Sequence, residues 1–231
     1  MGFDSETAFE SALIKCLVEE KGWKDGVIKY PTEKDLLDNW AKIIFENNRD
    51  IDRLGDFPMT DGEMAQIMGQ IAKLRTPLNL NGFINGGTVQ IIRDNENDTH
   101  NFKKTISLKI FDRNEIAAGR TRYQIAQQPK FKAKNSIYPN RRGDFCLLIN
   151  GMPVIHVELK KSNVPVSEAQ YQIRKYLYEG VFTGLFSLVQ VFVAMNPEEC
   201  ILPTQEVMIS SEKLSAFIGQ INITIRLMIG I

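Results

Sequence analysis

An α/β fold, helical at its start and carrying a mixed β-sheet after that, is what this sequence predicts. Three observations carry the prediction: helical periodicity through the first third, glycine-punctuated β-branched runs after Pro77, and a strand, strand, helix, strand order between Asp144 and Met195. A length of 231 residues, 43% of them hydrophobic and 24% charged, suits one compact domain with appended elements and enough apolar material for a core.

The first helix is expected from about Ser5 to Glu20, with Phe9, Ala12, Leu13, Cys16 and Leu17 on one stripe and Gly22 ending it. A second runs from Thr32 to about Asn48 through Leu36, Leu37, Trp40, Ile43 and Ile44. The third opens with a Thr60-x-x-Glu63 capping box and continues to about Leu74 through Met64, Ile67, Met68 and Ile71. After Pro77 the glycines Gly82, Gly86 and Gly87 break the helical pattern, and strands are expected at Thr88 to Arg93 and Thr105 to Phe111 around the polar turn DNENDTHN. The stretch from Arg120 to Arg142, with Pro129 and Pro139 and little periodicity, reads as an ordered loop. Strands follow at Asp144 to Ile149, Val154 to Leu159 and Gln190 to Met195, with a helix from Ser167 to Tyr178 before the last.

The 28 basic and 28 acidic residues cancel, which argues against a protein that coats nucleic acid by basicity alone. Residues 1–64, however, hold 15 acids against 8 bases, so the remainder is basic. Seven of those bases, Arg120, Arg122, Lys130, Lys132, Lys134, Arg141 and Arg142, lie in one acid-free run. A solvated loop is one account of that run; contact with a polyanion is the other. Tyr123, Phe131 and Tyr138 interleave it, to stack on bases or to anchor the loop. Cys16, Cys146 and Cys200 fit neither a zinc pattern nor a disulfide framework, which suits a reducing cytoplasm. The start MGFDSETAFE has no apolar signal region, and the uncharged run from Gly180 to Met195 is too short to span a bilayer, so no membrane role is expected.

The chemically informative segment is RRGDFCLLINGMPVIHVELKKS, Arg141 to Ser162. Asn150-Gly151 between two apolar runs signals a hairpin, which folds Asp144 back opposite residues 157 to 159. His156, Glu158 and Lys160 share one strand face. If Asp144 uses the same face, two carboxylates and an ammonium converge at a strand end. Two carboxylates can hold Mg²⁺ with several of its waters and a substrate phosphate, and the ammonium can orient an attacking water and offset developing negative charge. The competing account is a structural Glu158–Lys160 pair, because a mid-strand acid needs some partner. Lys161 faces solvent or a phosphate. His156 is a packed residue or a support to the carboxylates, and His100 belongs to an exposed turn.

Asp144 followed after 13 residues by Glu158-x-Lys160 resembles the PD-(D/E)xK nuclease motif, with Gly143 at the position of its nominal proline. Gln172-Ile-Arg-Lys-Tyr176 resembles the Q-x-x-x-Y element of the RecB-like branch. Together with INGMPVIHVELKKS, AQYQIRKY and VFVAMNPEE, these are similar to the N-terminal nuclease domain of the restriction (HsdR) subunit of type I restriction-modification systems, over residues 5–199. The resemblance implies a restriction-endonuclease-like α/β fold, a mixed β-sheet flanked by helices with a helical N-terminal part. It implies Mg²⁺- or Mn²⁺-dependent hydrolysis of double-stranded DNA and assembly with methylation and specificity subunits. Asp144 and Glu158, with Glu10 from the first helix, are the implied metal ligands, and Lys160 the implied catalytic base or electrostatic partner. Gln172 and Tyr176 share a helix face and would support the site or touch DNA, where a plain core tyrosine with a surface glutamine is the alternative. Lys130, Lys132, Lys134, Arg141, Arg142 and Lys161 are the candidate phosphate contacts.

No G-x-x-x-x-G-K-[ST] phosphate loop occurs, so ATP is expected to bind only in the full-length parent and not in this chain. The expected division is an endonuclease domain over 1–200, helical and acidic to about 75 and holding the sheet and catalytic core at about 85–199. Residues 201–231 form a tail, either truncated or the start of a further domain. Two other functions stay open: another RecB-like nuclease such as a repair exonuclease or junction resolvase, and a non-cleaving module that docks DNA or subunits.

Overall fold

The structure, a computed structural model, describes residues 2–74, 76–111, 121–132 and 137–202. Lys134, Arg120 and most of the expected tail fall outside them. Helix α1 (Glu6–Glu20) begins where the Ser5 hydroxyl accepts the Ala8 N–H at 3.1 Å, and its inward face is Phe9, Leu13, Ile14 and Leu17 with Glu10 buried among them. Helices α2 (Glu33–Asn47) and α3 (Asp61–Ile71) both start with complete capping boxes, Thr32 with Asp35 and Thr60 with Glu63. Each box satisfies backbone donors that the first helical turn leaves open, which is why these boundaries are legible in the sequence.

Strands β1 (Val27–Lys29), β2 (Thr88–Ile92), β3 (Thr105–Lys109), β4 (Tyr123–Gln127), β5 (Lys130–Phe131), β6 (Arg141–Arg142), β7 (Phe145–Ile149), β8 (Met152–Leu159), β9 (Val191–Met195) and β10 (Cys200–Ile201) form three sheets. The central one has the order β1-β4-β7-β8-β9-β10. It is mixed: β1 with β4 and β8 with β9 run parallel, the other neighbours antiparallel. Helix α5 (Val166–Tyr178) and a 3₁₀ turn at Gly184–Leu188 make the β8-to-β9 crossover. Every residue of β7 and β8 is buried. A strand covered on both faces reads as a continuous apolar run, as these two do.

Several elements depart from the sequence expectation, among them β5 and β6, which lie in the stretch expected to be a loop, and β10, where no strand was expected. Residues Pro77–Gly86 form a fourth helix, α4, with Thr76 accepting from Asn79 N–H at 3.2 Å and Gly87 ending it at φ 73°. Proline at the first helical position and glycine after the last are helix punctuation as much as turn signals. β1 is too short to have shown periodicity. β4 lies inside the stretch expected to be a loop: its outward polar residues hide it, and Gln124 is instead matched by Asn39 of α2 through reciprocal amide bonds of 3.0 and 3.1 Å.

The β2–β3 hairpin sits apart from the main sheet and is fastened by side-chain amides. Gln66 of α3 exchanges two hydrogen bonds with the Ile92 backbone, Gln70 donates to Gln90 O, and Asn48 at the end of α2 exchanges two with Lys109. These amides supply the strand backbone with partners where an unpaired edge would invite another chain. Beneath this region Arg93 is fully buried and held by Glu63 at 2.7 Å and Asp98 at 2.9 Å.

The register of β7 against β8 positions the site. Asn150 and Gly151 take positive φ of 48° and 83°, closing the expected hairpin with a two-residue turn that sets Ile149 opposite Met152. Gly151 also lies where a Cβ would sit 3.0 Å from Trp40 Cα, so α2 closes directly over the turn. Leu148 pairs with Pro153 but Leu147 pairs with Ile155, leaving Val154 as the extra residue of a β-bulge. The bulge shifts the pairing by one, so that Phe145 faces Val157 and Asp144 comes opposite Glu158. Without it Asp144 would face Val157 and point to the other side of the sheet.

Candidate active site

Asp144 and Glu158 lie side by side on one face of the sheet, one step beyond the Phe145–Val157 pair. Asp144 Oδ2 accepts the Leu159 backbone N–H at 2.6 Å. Glu158 is 1% exposed; its Oε1 accepts from the Gln172 amide and its Oε2 from His156 Nε2, the latter at 3.1 Å. Burial pushes both carboxyls well above the usual carboxylate range. Glu158 raises Asp144 further, Glu6 and Glu10 raise Glu158, and Lys160 opposes the rise in each. Carboxylates that repel one another in a dry place with one cation nearby are short of positive charge.

Lys160 follows at the end of β8, its N–H bonded to Met195 O at 2.8 Å. Its Nζ donates to Gln172 Oε1 at 3.0 Å and lies 3.3 Å from Glu6 Oε1. One side chain of α5 therefore spans the centre: Gln172 holds Glu158 and Lys160 at once and donates to Tyr176 Oη at 2.8 Å. Tyr176 Oη in turn donates to Arg142 O at 3.1 Å, and burial pushes its pKa up to about 12, so it stays a phenol. Gln172 and Tyr176 sit one helical turn apart, as their spacing required.

His156 lies beneath Glu158, fully buried among Phe131, Tyr176, Phe182 and Phe192 with ring centroids 5.1 to 6.3 Å away. Burial lowers its pKa to about 4, with Asp144 opposing, so the imidazole is neutral. A neutral ring has one donor. Facing a carboxylate acceptor, that donor is Nε2–H, and Nδ1 accepts from the Cys146 thiol at 3.6 Å. The same ring accounts for Gly143: a Cβ there would meet His156 Cε1 at 2.6 Å and Phe131 Cε2 at 2.8 Å, so a proline cannot stand before Asp144 in this chain.

Glu10 reaches the region from α1, 3% exposed, with its oxygens held by the Gln127 and Gln128 amides at 2.8 and 3.0 Å. Among the described residues no three His, Cys, Asp or Glu side chains converge into a metal cage, so Glu10 does not join Asp144 and Glu158 in the expected three-ligand set, and the side chains that could hold a metal are that pair. That pair suits a hard cation such as Mg²⁺, which takes one or two carboxylates and completes its shell with water and phosphate. Of the candidate phosphate contacts, Lys130, Lys132, Arg142 and Lys161 are exposed, whereas Arg141 is committed to Glu179 by two bonds of 2.7 and 2.6 Å. Lys134 lies outside the described residues. Sequence reasoning did not single out Glu6, Gln127 or Gln128; Glu6 had a signal, standing one helical turn before Glu10.

The family model for the N terminus of the type I restriction enzyme R protein matches residues 4–207. This chain belongs to that family. Among curated R-subunit relatives, the SsaAORF53P endonuclease subunit of Staphylococcus saprophyticus is 28% identical over 200 residues, covering 85% of this chain and 19% of the relative. The SauCOLORF180P endonuclease subunit of Staphylococcus aureus is 28% identical over 201 residues, with 86% and 19% covered. The putative MjaVIIIP endonuclease subunit of Methanocaldococcus jannaschii is 26% identical over 175 residues, with 74% and 15% covered. The chain thus spans about one fifth of the length of the R subunits it matches first.

Proposed function

We propose that this R-protein N-terminal domain is a Mg²⁺- or Mn²⁺-dependent endonuclease of the PD-(D/E)xK, RecB-like kind, on a restriction-endonuclease-like fold, hydrolysing phosphodiester bonds of double-stranded DNA. The observation that carries the proposal is the buried, charge-deficient Asp144–Glu158 pair with Lys160 tied to it through Gln172. Asp144 and Glu158 would hold the metal, and Glu10 would add negative charge from behind. When bound, the metal acidifies a water and offsets charge on the reacting phosphate. Lys160 Nζ, anchored on one side by Gln172 and Glu6, orients the attacking water and stabilises developing negative charge. His156 Nε2–H and the Gln172 amide fix the Glu158 carboxylate without taking all its lone pairs. Lys130, Lys132, Arg142 and Lys161 would contact phosphates, positioning the duplex without reading bases. Methylation and specificity subunits would supply site choice, in a reducing cytoplasm.

The test is cleavage by the restriction complex carrying Glu158→Ala or Lys160→Ala in its R subunit. A loss of at least about 100-fold in cutting, with DNA binding and subunit assembly retained, is expected from the scale of a lost transition-state partner. Cutting at the wild-type rate would refute the assignment.

A further inference from the structure

The inward face of α5 serves the carboxylate centre, but its outward face has no partner among the described residues. Tyr171 is 64% exposed and Tyr178 is 84% exposed, two turns apart on the same side of the helix. Between them Arg174 and Lys175 are also exposed, with the Arg174 guanidinium 6.0 Å over the Tyr171 ring. Residues 169–178 contain no acid. Glu168 lies a turn earlier, and Glu179 just beyond is neutralised by its two bonds to Arg141.

The inward side of the same helix meets the β5–β6 strand pair, which carries Lys130, Arg141 and Arg142. Arg141–Glu179 and Tyr176 Oη–Arg142 O stitch β6 onto the C-terminal half of α5. Arg142, whose carbonyl takes the Tyr176 hydroxyl, is itself exposed. We infer that the outer strip of α5, Tyr171, Arg174, Lys175 and Tyr178, is a docking surface for the backbone of duplex DNA flanking the phosphate at Asp144 and Glu158. This rests on the nuclease reading above. A duplex carries a phosphate every ~3.4 Å of axis on each strand. One seated at the carboxylates presents several more within the ~10–12 Å width of a helix. Arginine, lysine and tyrosine hydroxyl are groups that hold phosphate and sugar without sequence preference. Two cations with no acid among them complement a polyanion.

Fluorescence anisotropy of the 231-residue chain on a labelled duplex tests this, with Ca²⁺ in place of Mg²⁺ and salt as the variable. Arg174→Ala with Lys175→Ala is expected to weaken binding at least about 10-fold and to reduce the slope of log K against log salt by about 1.8, from ~0.9 per phosphate contact. Tyr171→Ala with Tyr178→Ala weakens binding a few-fold and leaves that slope in place. Lys24→Ala, an exposed cation on a different part of the surface, serves as control and changes neither, and circular dichroism verifies the folding of each variant. Wild-type affinity and slope in the Arg174/Lys175 variant, or no binding by the wild type at low salt, would overturn the docking surface. So would unchanged DNA binding with lost assembly onto the methylation and specificity subunits, which would mark a protein interface instead. If the strip variants lose DNA affinity while Glu158→Ala leaves cutting unchanged in the complex, the surface stands and the nuclease assignment falls.

Discussion

Two buried charged clusters in this molecule use nearly the same residue types to opposite ends. Around Arg93, the guanidinium meets Glu63 and Asp98 and also donates to Phe57 O and Pro58 O. The Glu63 oxygens take backbone N–H groups of Thr60 and Asp94, and Asp98 takes that of Asn101. Burial pushes the Asp98 pKa up, but its bonds to Arg93 and Asn101 outweigh it and hold the carboxyl below its ordinary value. Around Asp144 and Glu158 burial wins, because the neighbouring charges include Glu6 and Glu10, and the Leu159 N–H bond to Asp144 and the single cation Lys160 do not outweigh it. In the first cluster the buried cation is matched by its carboxylates as it stands. The second is stable in its charged form only once positive charge is added, and this difference separates a structural ion pair from a candidate site.

Breaking the first cluster gives the larger stability effect. Arg93→Met leaves Glu63 and Asp98 buried without their cation and is expected to cost about 3–5 kcal/mol in urea unfolding at pH 7. A loss under about 1 kcal/mol would show that the network is solvated, and the contrast would collapse. At the second cluster Gly143→Ala drives a methyl into His156 and Phe131, for about 1–3 kcal/mol of overpacking. It should also weaken Mn²⁺ binding measured by calorimetry, because His156 holds Glu158; unaltered affinity would separate the ring from the site.

The smallest effect has the most telling sign. With pKa values raised on folding, Asp144 and Glu158 bind more protons in the folded than in the unfolded chain from the ordinary carboxylate range near pH 4 upward through neutrality. Their contribution to stability is therefore full at low pH and is lost as pH rises through the folded values. In chelator, Glu158→Gln should stabilise the chain at pH 8 by on the order of 1–2 kcal/mol, since each tenfold change in proton affinity is worth ~1.4 kcal/mol, and have little effect at pH 4. A destabilised variant at pH 8 would mean that Glu158 is a structural partner of Lys160 after all.

The sequence by itself determined the helix starts, because capping boxes at Thr32 and Thr60 act over three residues, and the hairpin at Asn150-Gly151, because only a few residue types accept two positive φ angles in succession. It also brought forward the candidate-site residues, Asp144, Glu158 and Lys160 through the hairpin and strand parity, and Gln172 and Tyr176 through the family resemblance. What it left undecided depended on partners far along the chain. β4 is a central strand since Asn39 satisfies Gln124, and the helix at Pro77–Gly86 overrides its glycines by burying Ile84. Most of all, the bulge at Val154 decides which face Asp144 occupies. A one-residue shift inverts every side chain of a strand, and nothing in the alternation of a fully buried apolar run records it; the packing of β7, β8 and α5 around His156 and Gln172 does.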